Sequence, residues 1–274
     1  MKWGIIGTGN MGKVLIHAFL QSKLLDQRDL FVTNRTVERA YELKETYPHI
    51  QVKDDPFTLI DSVDTVFICV KPVDMVPLLK EISHRLNQHH LLVSITSPVS
   101  VQEIESLVDC QVARMIPSIT NQALAGVSLL TFSEKIDHDR KQLFIKRCRS
   151  FSEPLEIKED IVRISSDIVS CGPAFFAFLA QSFIENANEL TEITKEDATL
   201  LMEKMFIGFG KLLATEQFTL PELIEKVCVK GGITGVGIAA IEAHTDNPFH
   251  HLIKGTHEKF HTEKAHIQSS IHYS

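Results

Sequence analysis

The feature that most constrains this chain stands at its start, where the apolar run Trp3-Gly4-Ile5-Ile6 leads straight into Gly7-Thr8-Gly9-Asn10-Met11-Gly12. The segment that follows, Lys13-Val14-Leu15-Ile16-His17-Ala18-Phe19-Leu20, has helical apolar spacing, so the glycines stand between a strand and a helix. Gly7 permits a tight turn, Gly9 has no Cβ to block a pyrophosphate, and Gly12 lets the helix pack close to the strand. The helix start then presents free NH groups and the positive end of its dipole to phosphates. Gly7, Thr8, Gly9, Asn10, Met11 and Gly12 are therefore expected to hold a dinucleotide.

Further apolar strands are expected at Leu30-Phe31-Val32-Thr33, Thr65-Val66-Phe67-Ile68-Cys69-Val70, Leu91-Leu92-Val93-Ser94-Ile95 and Gln111-Val112-Ala113-Arg114-Met115-Ile116. Helical segments separate them, one running from about Val76 to Leu86. Continuous rather than alternating apolar strands predict a parallel sheet covered on both faces. Ligands of such sheets lie beyond the carboxyl ends of the strands, here Gly7, Asn34, Lys71-Pro72, Thr96-Ser97-Pro98 and Pro117-Ser118. After the second strand, an NAD site usually offers a carboxylate to the ribose 2'-hydroxyl, whereas this chain offers Asn34, Arg35 and Thr36. A cation and small donors suit a 2'-phosphate, so NADP(H) is expected, with NAD(H) as the second choice; Arg35 as a solvated residue opening a helix is the alternative.

From about residue 161 the texture becomes helical, with candidates at Pro173 to Leu190, Lys195 to Thr215, a helix opening near Pro221, and Val236 to Ala243 after the break Gly231-Gly232-Ile233-Thr234-Gly235. Two domains are expected, 1–160 and 161–274. A net charge of -7 argues against nucleic acid as the main partner. No apolar run is read as reaching membrane-spanning length and no signal-peptide layout opens the chain, so a cytoplasmic protein is expected. The five cysteines are scattered, without a Cys-x-x-Cys pair, and read as reduced thiols.

In order and spacing, several segments together resemble one family along nearly the whole chain. They are Gly7 to Gly12, Asn34-Arg35-Thr36, Val70-Lys71-Pro72, Arg114-Met115-Ile116-Pro117, Cys171-Gly172-Pro173-Ala174-Phe175, Gly208 before Lys211-Leu212-Leu213, and Gly231-Gly232-Ile233-Thr234. The chain is identified as a divergent member of the pyrroline-5-carboxylate reductase family. The resemblance implies an α/β Rossmann-type N-terminal domain with a parallel sheet, followed by an all-α C-terminal dimerisation domain. It also implies NADPH- or NADH-dependent reduction of the cyclic imine 1-pyrroline-5-carboxylate to proline, and a homodimer or larger homo-oligomer built through the helical domain. In the family a glycine loop binds the substrate carboxylate through backbone NH groups and hydroxyls, while its final Thr contacts the ring nitrogen. The matching positions are Gly231, Gly232 and Thr234. Val70, Lys71 and Pro72 match the strand end beside the nicotinamide ribose, although Lys71 also reads as a solvated strand terminus.

The departures fall on the substrate side. The family's Ser-Pro before the glycines is Val229-Lys230, so a hydroxyl is lost and a cation gained; Lys230 either takes over the anion contact or points to solvent. Ser118 and Ile119 replace an Asn-Thr pair, while the family's Ser-Gly-Ser-Gly-Pro-Ala-Tyr opens here as Val169-Ser170-Cys171-Gly172-Pro173-Ala174-Phe175, losing a flexible glycine and a phenol. Glu216 matches an acidic residue ahead of the substrate loop and either orients that loop in a partner subunit or is a solvated helix-end carboxylate. Nothing in the sequence supplies Cys171 with a base or cation. Seven of the 13 histidines follow Ala243, and His257-Glu258-Lys259-Phe260-His261 has the spelling of a zinc-binding His-Glu-x-x-His. The extended pattern fails at Lys264 and Ile267, so no metal is expected and the tail reads as a surface helix or frayed end. A β-hydroxyacid-type reductase needs a catalytic lysine that Pro173 to Leu190 lacks. Two readings compete: a working reductase serving proline biosynthesis, and a catalytically impaired member that binds NADP(H) and has a regulatory or interaction role.

Overall fold

The computed structural model describes residues 1–244 and 246–272, with His272 by its backbone alone. The described residues form one eight-stranded sheet: β1 (Trp3–Ile6), β2 (Leu30–Thr33), β3 (Gln51–Val52), β4 (Thr65–Ile68), β5 (Leu91–Ser94), β6 (Gln111–Ile116), β7 (Val127–Phe132) and β8 (Glu153–Glu156), in spatial order β3-β2-β1-β4-β5-β6-β7-β8. Neighbours pair in parallel except β6 with β7, which are antiparallel. The expected parallel sheet is thus present with one reversal. The short β3 and the edge pair β7 and β8 have no counterpart in the sequence reading.

The helices of this part are α1 (Asn10–Gln21), α2 (Glu38–Tyr41), α3 (Pro56–Ile60), α4 (Pro72–Ile82), α5 (Val101–Glu105), α6 (His138–Cys148) and α7 (Val162–Ser166). Alternate strand residues divide between two buried clusters, because side chains on a strand point to opposite faces. Trp3, Ile5, Phe67, Val93 and Met115 pack with Leu15 and Phe19 of α1 and Phe144 of α6. Ile6, Val66, Ile68, Leu92 and Val112 pack on the other face with Leu59 of α3, Leu79 of α4 and Ile104 of α5. Trp3 anchors the first cluster, its ring 4.9 Å from that of Phe19 in an edge arrangement and 5.0 Å from that of Phe67.

The helical part comprises α8 (Gly172–Leu190), α9 (Lys195–Leu213), α10 (Leu220–Val227), α11 (Ile233–His244) and α12 (Pro248–His272). A π-helical turn over Asp167–Cys171 joins α7 to α8 and carries the chain into Pro173 without a break. Proline lacks a backbone donor, and the wider π turn accommodates the missing bond. This continuity corrects the reading of apolar runs: Glu159–Leu190 is, by length and composition, long and apolar enough to cross a membrane. It escapes inspection because Gly172-Pro173 reads as a helix start.

Two compact units result, residues 1–173 with 253–274, and residues 174–252. The later part of α12 belongs to the first unit, where Ile267 is buried in the second apolar cluster and Gln268 donates to Glu103 Oε1 at 2.9 Å.

Candidate functional site

The carboxyl ends of β1 and β4 meet at the first glycine. Gly7 has φ +104°, and a Cβ there would lie 2.5 Å from the carbonyl oxygen of Cys69 and 3.2 Å from Val70 Cγ1. A Cβ on Gly12 would collide with the Gly7 carbonyl oxygen, whereas one on Gly9 would meet nothing within 4 Å. Gly7 and Gly12 are therefore required by packing, and Gly9 by nothing among the described residues. Gly9 caps α1 in extended conformation with no side-chain cap, leaving the first-turn NH groups without a side-chain acceptor. Among the described residues, the buried hydroxyl of Thr8 also has no hydrogen-bond partner. An uncapped helix start, an open glycine and an orphaned buried hydroxyl on one turn fit a phosphate-bearing ligand.

The end of β2 is tied to this turn. Thr8 N donates to Asn34 Oδ1 at 3.1 Å, and Asn34 Nδ2 donates to the Thr36 carbonyl at 3.0 Å. The amide of Asn34 thus fixes two backbone segments, leaving Arg35 and Thr36 to face solvent. The Arg35 side chain is 88% exposed, 3.6 Å from Asp74 Oδ1 on α4. An exposed pair of this kind contributes only about 0–1 kcal/mol, so little holds the guanidinium away from an incoming phosphate. Val70 is half-buried against Gly7, exposed Lys71 occupies the cap position of α4, and Pro72 is its first residue. α4 starts four residues earlier than its apolar period suggests, because proline at the first helical position is favourable.

The next strand end holds residues that sequence reasoning missed. Arg114, fully buried on β6, donates through Nη1 to the Ser97 carbonyl at 3.3 Å and to the Val99 carbonyl at 3.1 Å, and pairs with Glu159. Arg163 on α7 donates to Ser97 Oγ at 3.2 Å and to Asp167 Oδ1 at 2.6 Å. The same guanidinium lies 3.6 Å from Cys171 Sγ, a cationic neighbour that the sequence does not identify. The π turn separates Arg163 from Cys171, and no simple helical spacing reveals their approach. Ser118 is buried and used internally: its hydroxyl accepts from Thr120 N at 3.3 Å and from Thr120 Oγ1 at 2.9 Å, capping a short helical turn. The cysteines are free; burial pushes the Cys69 and Cys148 thiols up and raises Cys110 to about 12.

In the second unit, Lys230, Gly231, Gly232 and Thr234 share one turn at the start of α11. Gly232 N donates to the Val229 carbonyl at 2.9 Å, Gly231 has φ +80°, and Lys230 and Thr234 are exposed. Glu216, exposed with φ +54°, follows α9; among the described residues no hydrogen bond joins it to that turn. The histidine-rich tail is helical in α12. Its His257 Nε2 lies 3.8 Å from Oδ2 of the buried Asp167. The side chain of His272 lies outside the described residues.

Comparison with known proteins agrees with this geometry. Residues 2–98 match the family "NADP oxidoreductase coenzyme F420-dependent", and residues 159–262 match "Pyrroline-5-carboxylate reductase dimerisation". The chain is 47% identical to ComE operon protein 4 of Bacillus subtilis (strain 168), over 99% of this chain and 100% of the relative. It is 29% identical to pyrroline-5-carboxylate reductase 3 of the same organism, over 94% of each. Among solved structures, Plasmodium falciparum pyrroline carboxylate reductase with NADP bound shares the fold, with a TM-score of 0.82, 21% identity and coverage of 97% of both chains. The strand–glycine turn–helix start, the sheet order and the helical second half accordingly place this chain in the pyrroline-5-carboxylate reductase family.

Proposed function

We propose that this protein is a cytoplasmic NADP(H)-dependent reductase acting on a cyclic imino acid, converting 1-pyrroline-5-carboxylate to proline. The observation that carries the reading is the glycine turn, with room at Gly9, no cap on α1 and an orphaned hydroxyl on Thr8. Thr8 to Gly12 would hold the pyrophosphate, Arg35 and Thr36 the 2'-phosphate, and the backbone of Val70 to Pro72 the nicotinamide ribose. Asn34 serves this site by fixing the turn. NADP(H) is the preferred cofactor and NAD(H) the second choice. When bound, it supplies a hydride that reduces a protonated carbon–nitrogen double bond.

Such a carbon is already electrophilic, so the protein's task is orientation and exclusion of water more than proton abstraction. Gly231 and Gly232 would form the turn that receives the substrate carboxylate, through the Gly231 NH because the Gly232 NH is bonded to the Val229 carbonyl, with Lys230 adding a cation, and Thr234 would contact the ring nitrogen. Glu216 would orient this loop in a second copy, the helical unit forming a homodimer or larger homo-oligomer. Neither nucleic acid nor a membrane is a partner in this reading.

The alternative, an impaired member that binds NADP(H) in a regulatory or interaction role, is favoured by one observation. The Ser118 hydroxyl is committed to a cap in the segment where the family places an Asn-Thr pair. Steady-state NADPH oxidation with 1-pyrroline-5-carboxylate, beside Thr234→Ala and a parallel NADPH titration, separates the two. Turnover that falls at least about tenfold in Thr234→Ala supports the reductase. Binding without turnover supports the alternative, and failure to bind either dinucleotide removes both.

A further inference from the structure

We propose that Ser97 contacts the reactants at the carboxyl end of β5, and that Arg163 is the residue that positions it; the proposal rests on the reductase reading. Within Thr96 to Ser100, Ser97 is the residue that is not buried. Two arginine–carboxylate pairs converge on it. Arg114, paired with Glu159, binds its carbonyl, and Arg163, paired with Asp167, binds its hydroxyl.

The second pair is itself braced. Asp167 is 3% exposed, and its other oxygen accepts from Thr256 Oγ1 at 2.8 Å, with His257 Nε2 3.8 Å away. The Arg163 guanidinium lies 5.8 Å from the centre of the Phe260 ring. Thr256, His257 and Phe260 all belong to α12, so the last helix closes a chain of contacts that runs through Asp167 and Arg163 to Ser97.

Buried ion pairs add little net stability compared with apolar packing, and their distinctive contribution is fixed geometry. Two ion pairs, each with one buried member, Arg114 in one and Asp167 in the other, are directed at a single partly exposed serine and indicate a held contact rather than a general brace. The bond from Arg163 uses a lone pair of Ser97 Oγ and leaves the serine proton free to be donated elsewhere. A hydroxyl that accepts from a cation is polarised and becomes a stronger donor. The loop follows β5, which pairs with β4, and the β4 end borders Gly7. Ser97 thus offers a donor to an acceptor oxygen, either the carboxamide of the nicotinamide or the carboxylate of the imino acid.

The test uses the full chain as wild type, Ser97→Ala, Arg163→Ala, the double variant and Arg163→Lys. It reads kcat, both KM values, the NADPH dissociation constant and the emission of bound nicotinamide. Each alanine variant is expected to lower kcat/KM about tenfold, with the double variant within about twofold of Ser97→Ala and Arg163→Lys partly restored. A raised substrate KM with unchanged nicotinamide emission identifies the carboxylate as acceptor; altered emission identifies the carboxamide. Losses that multiply in the double variant, or a Ser97→Ala protein that matches wild type, overturn the proposal. If the wild type binds NADPH without turnover, the reductase reading fails and the same cycle is read in nicotinamide emission, where unchanged emission in both alanine variants overturns the role of Ser97. If the wild type binds no NADPH, both fail together.

Discussion

The unit formed by residues 1–173 and 253–274 buries its core residues on two faces of one sheet, whereas residues 174–252 leave many large apolar side chains exposed. Phe178 and Phe183 of α8 are 72% and 68% exposed, and Ile233 at the start of α11 is 91% exposed. A sheet with both faces covered completes its core within one chain. Helices that expose aromatic and branched side chains to this extent mark an interaction surface, and residues 159–262 match a family described by dimerisation. The contrast teaches that the first unit completes its core within this chain, while the helical unit leaves apolar surface open to the assembly proposed above. The glycines repeat the contrast: Gly7 is enclosed by Cys69 and Val70, and Gly231 has no neighbour within 4 Å of its added Cβ.

Paired substitutions at those glycines break the comparison most directly. Gly7→Ala adds a collision to left-handed strain and is expected to weaken NADPH binding at least about 100-fold, a loss of about 2.7 kcal/mol, in a fluorescence titration. Gly231→Ala carries strain of about 1–2 kcal/mol without a collision and should leave NADPH affinity within about twofold. Next in size, Phe178→Glu with Phe183→Glu is expected to convert an associated wild type to monomer by sedimentation while NADPH binding persists. A wild type that is already monomeric would break the contrast between the units. Arg35→Ala sharpens the cofactor half: the ratio of NADH to NADPH dissociation constants should fall about tenfold, through loss of NADPH affinity alone.

The smallest effect concerns the seam where α12 returns to the first unit. Burial opposes ionisation of Glu103, but hydrogen bonds from Ser100 N and the Gln268 amide, then the Ser100 hydroxyl, outweigh it and hold the carboxyl below its ordinary range. A depressed folded-state pKa contributes stability above the unfolded value, and that stability is lost as pH falls through the folded value. Thermal unfolding of the wild type should therefore decline more steeply below about pH 4 than that of Glu103→Gln. Equal slopes would show that Glu103 does not stabilise the seam through its charge.

The first half was legible where local chemistry dictates structure. Three glycines between a strand and a helix, and continuous apolar strands, leave few folds open, and β2 and β6 occur over the residues expected. β8 (Glu153–Glu156) escaped because it is a mostly exposed edge strand without an apolar run, and β7 because Ser128 and Thr131 flank Leu129-Leu130 and leave only a short apolar run. The continuous helix through Pro173 escaped because a proline reads as a boundary unless a π turn precedes it. The Arg114 and Arg163 contacts with Ser97 depend on tertiary approach across 17 and 66 positions of sequence, for which no spacing rule exists. Asn34 was visible as a residue of the β2 end, yet its hydrogen bonds to the glycine turn became apparent only in three dimensions.

Transfer of the hydride itself tests the account most directly. Purified full-length protein given NADPH deuterated at the transferring position of C4 and 1-pyrroline-5-carboxylate should yield proline one mass unit heavier, with Thr234→Ala yielding at least about tenfold less per unit time. Saturable NADPH binding without any labelled proline would contradict the reductase assignment.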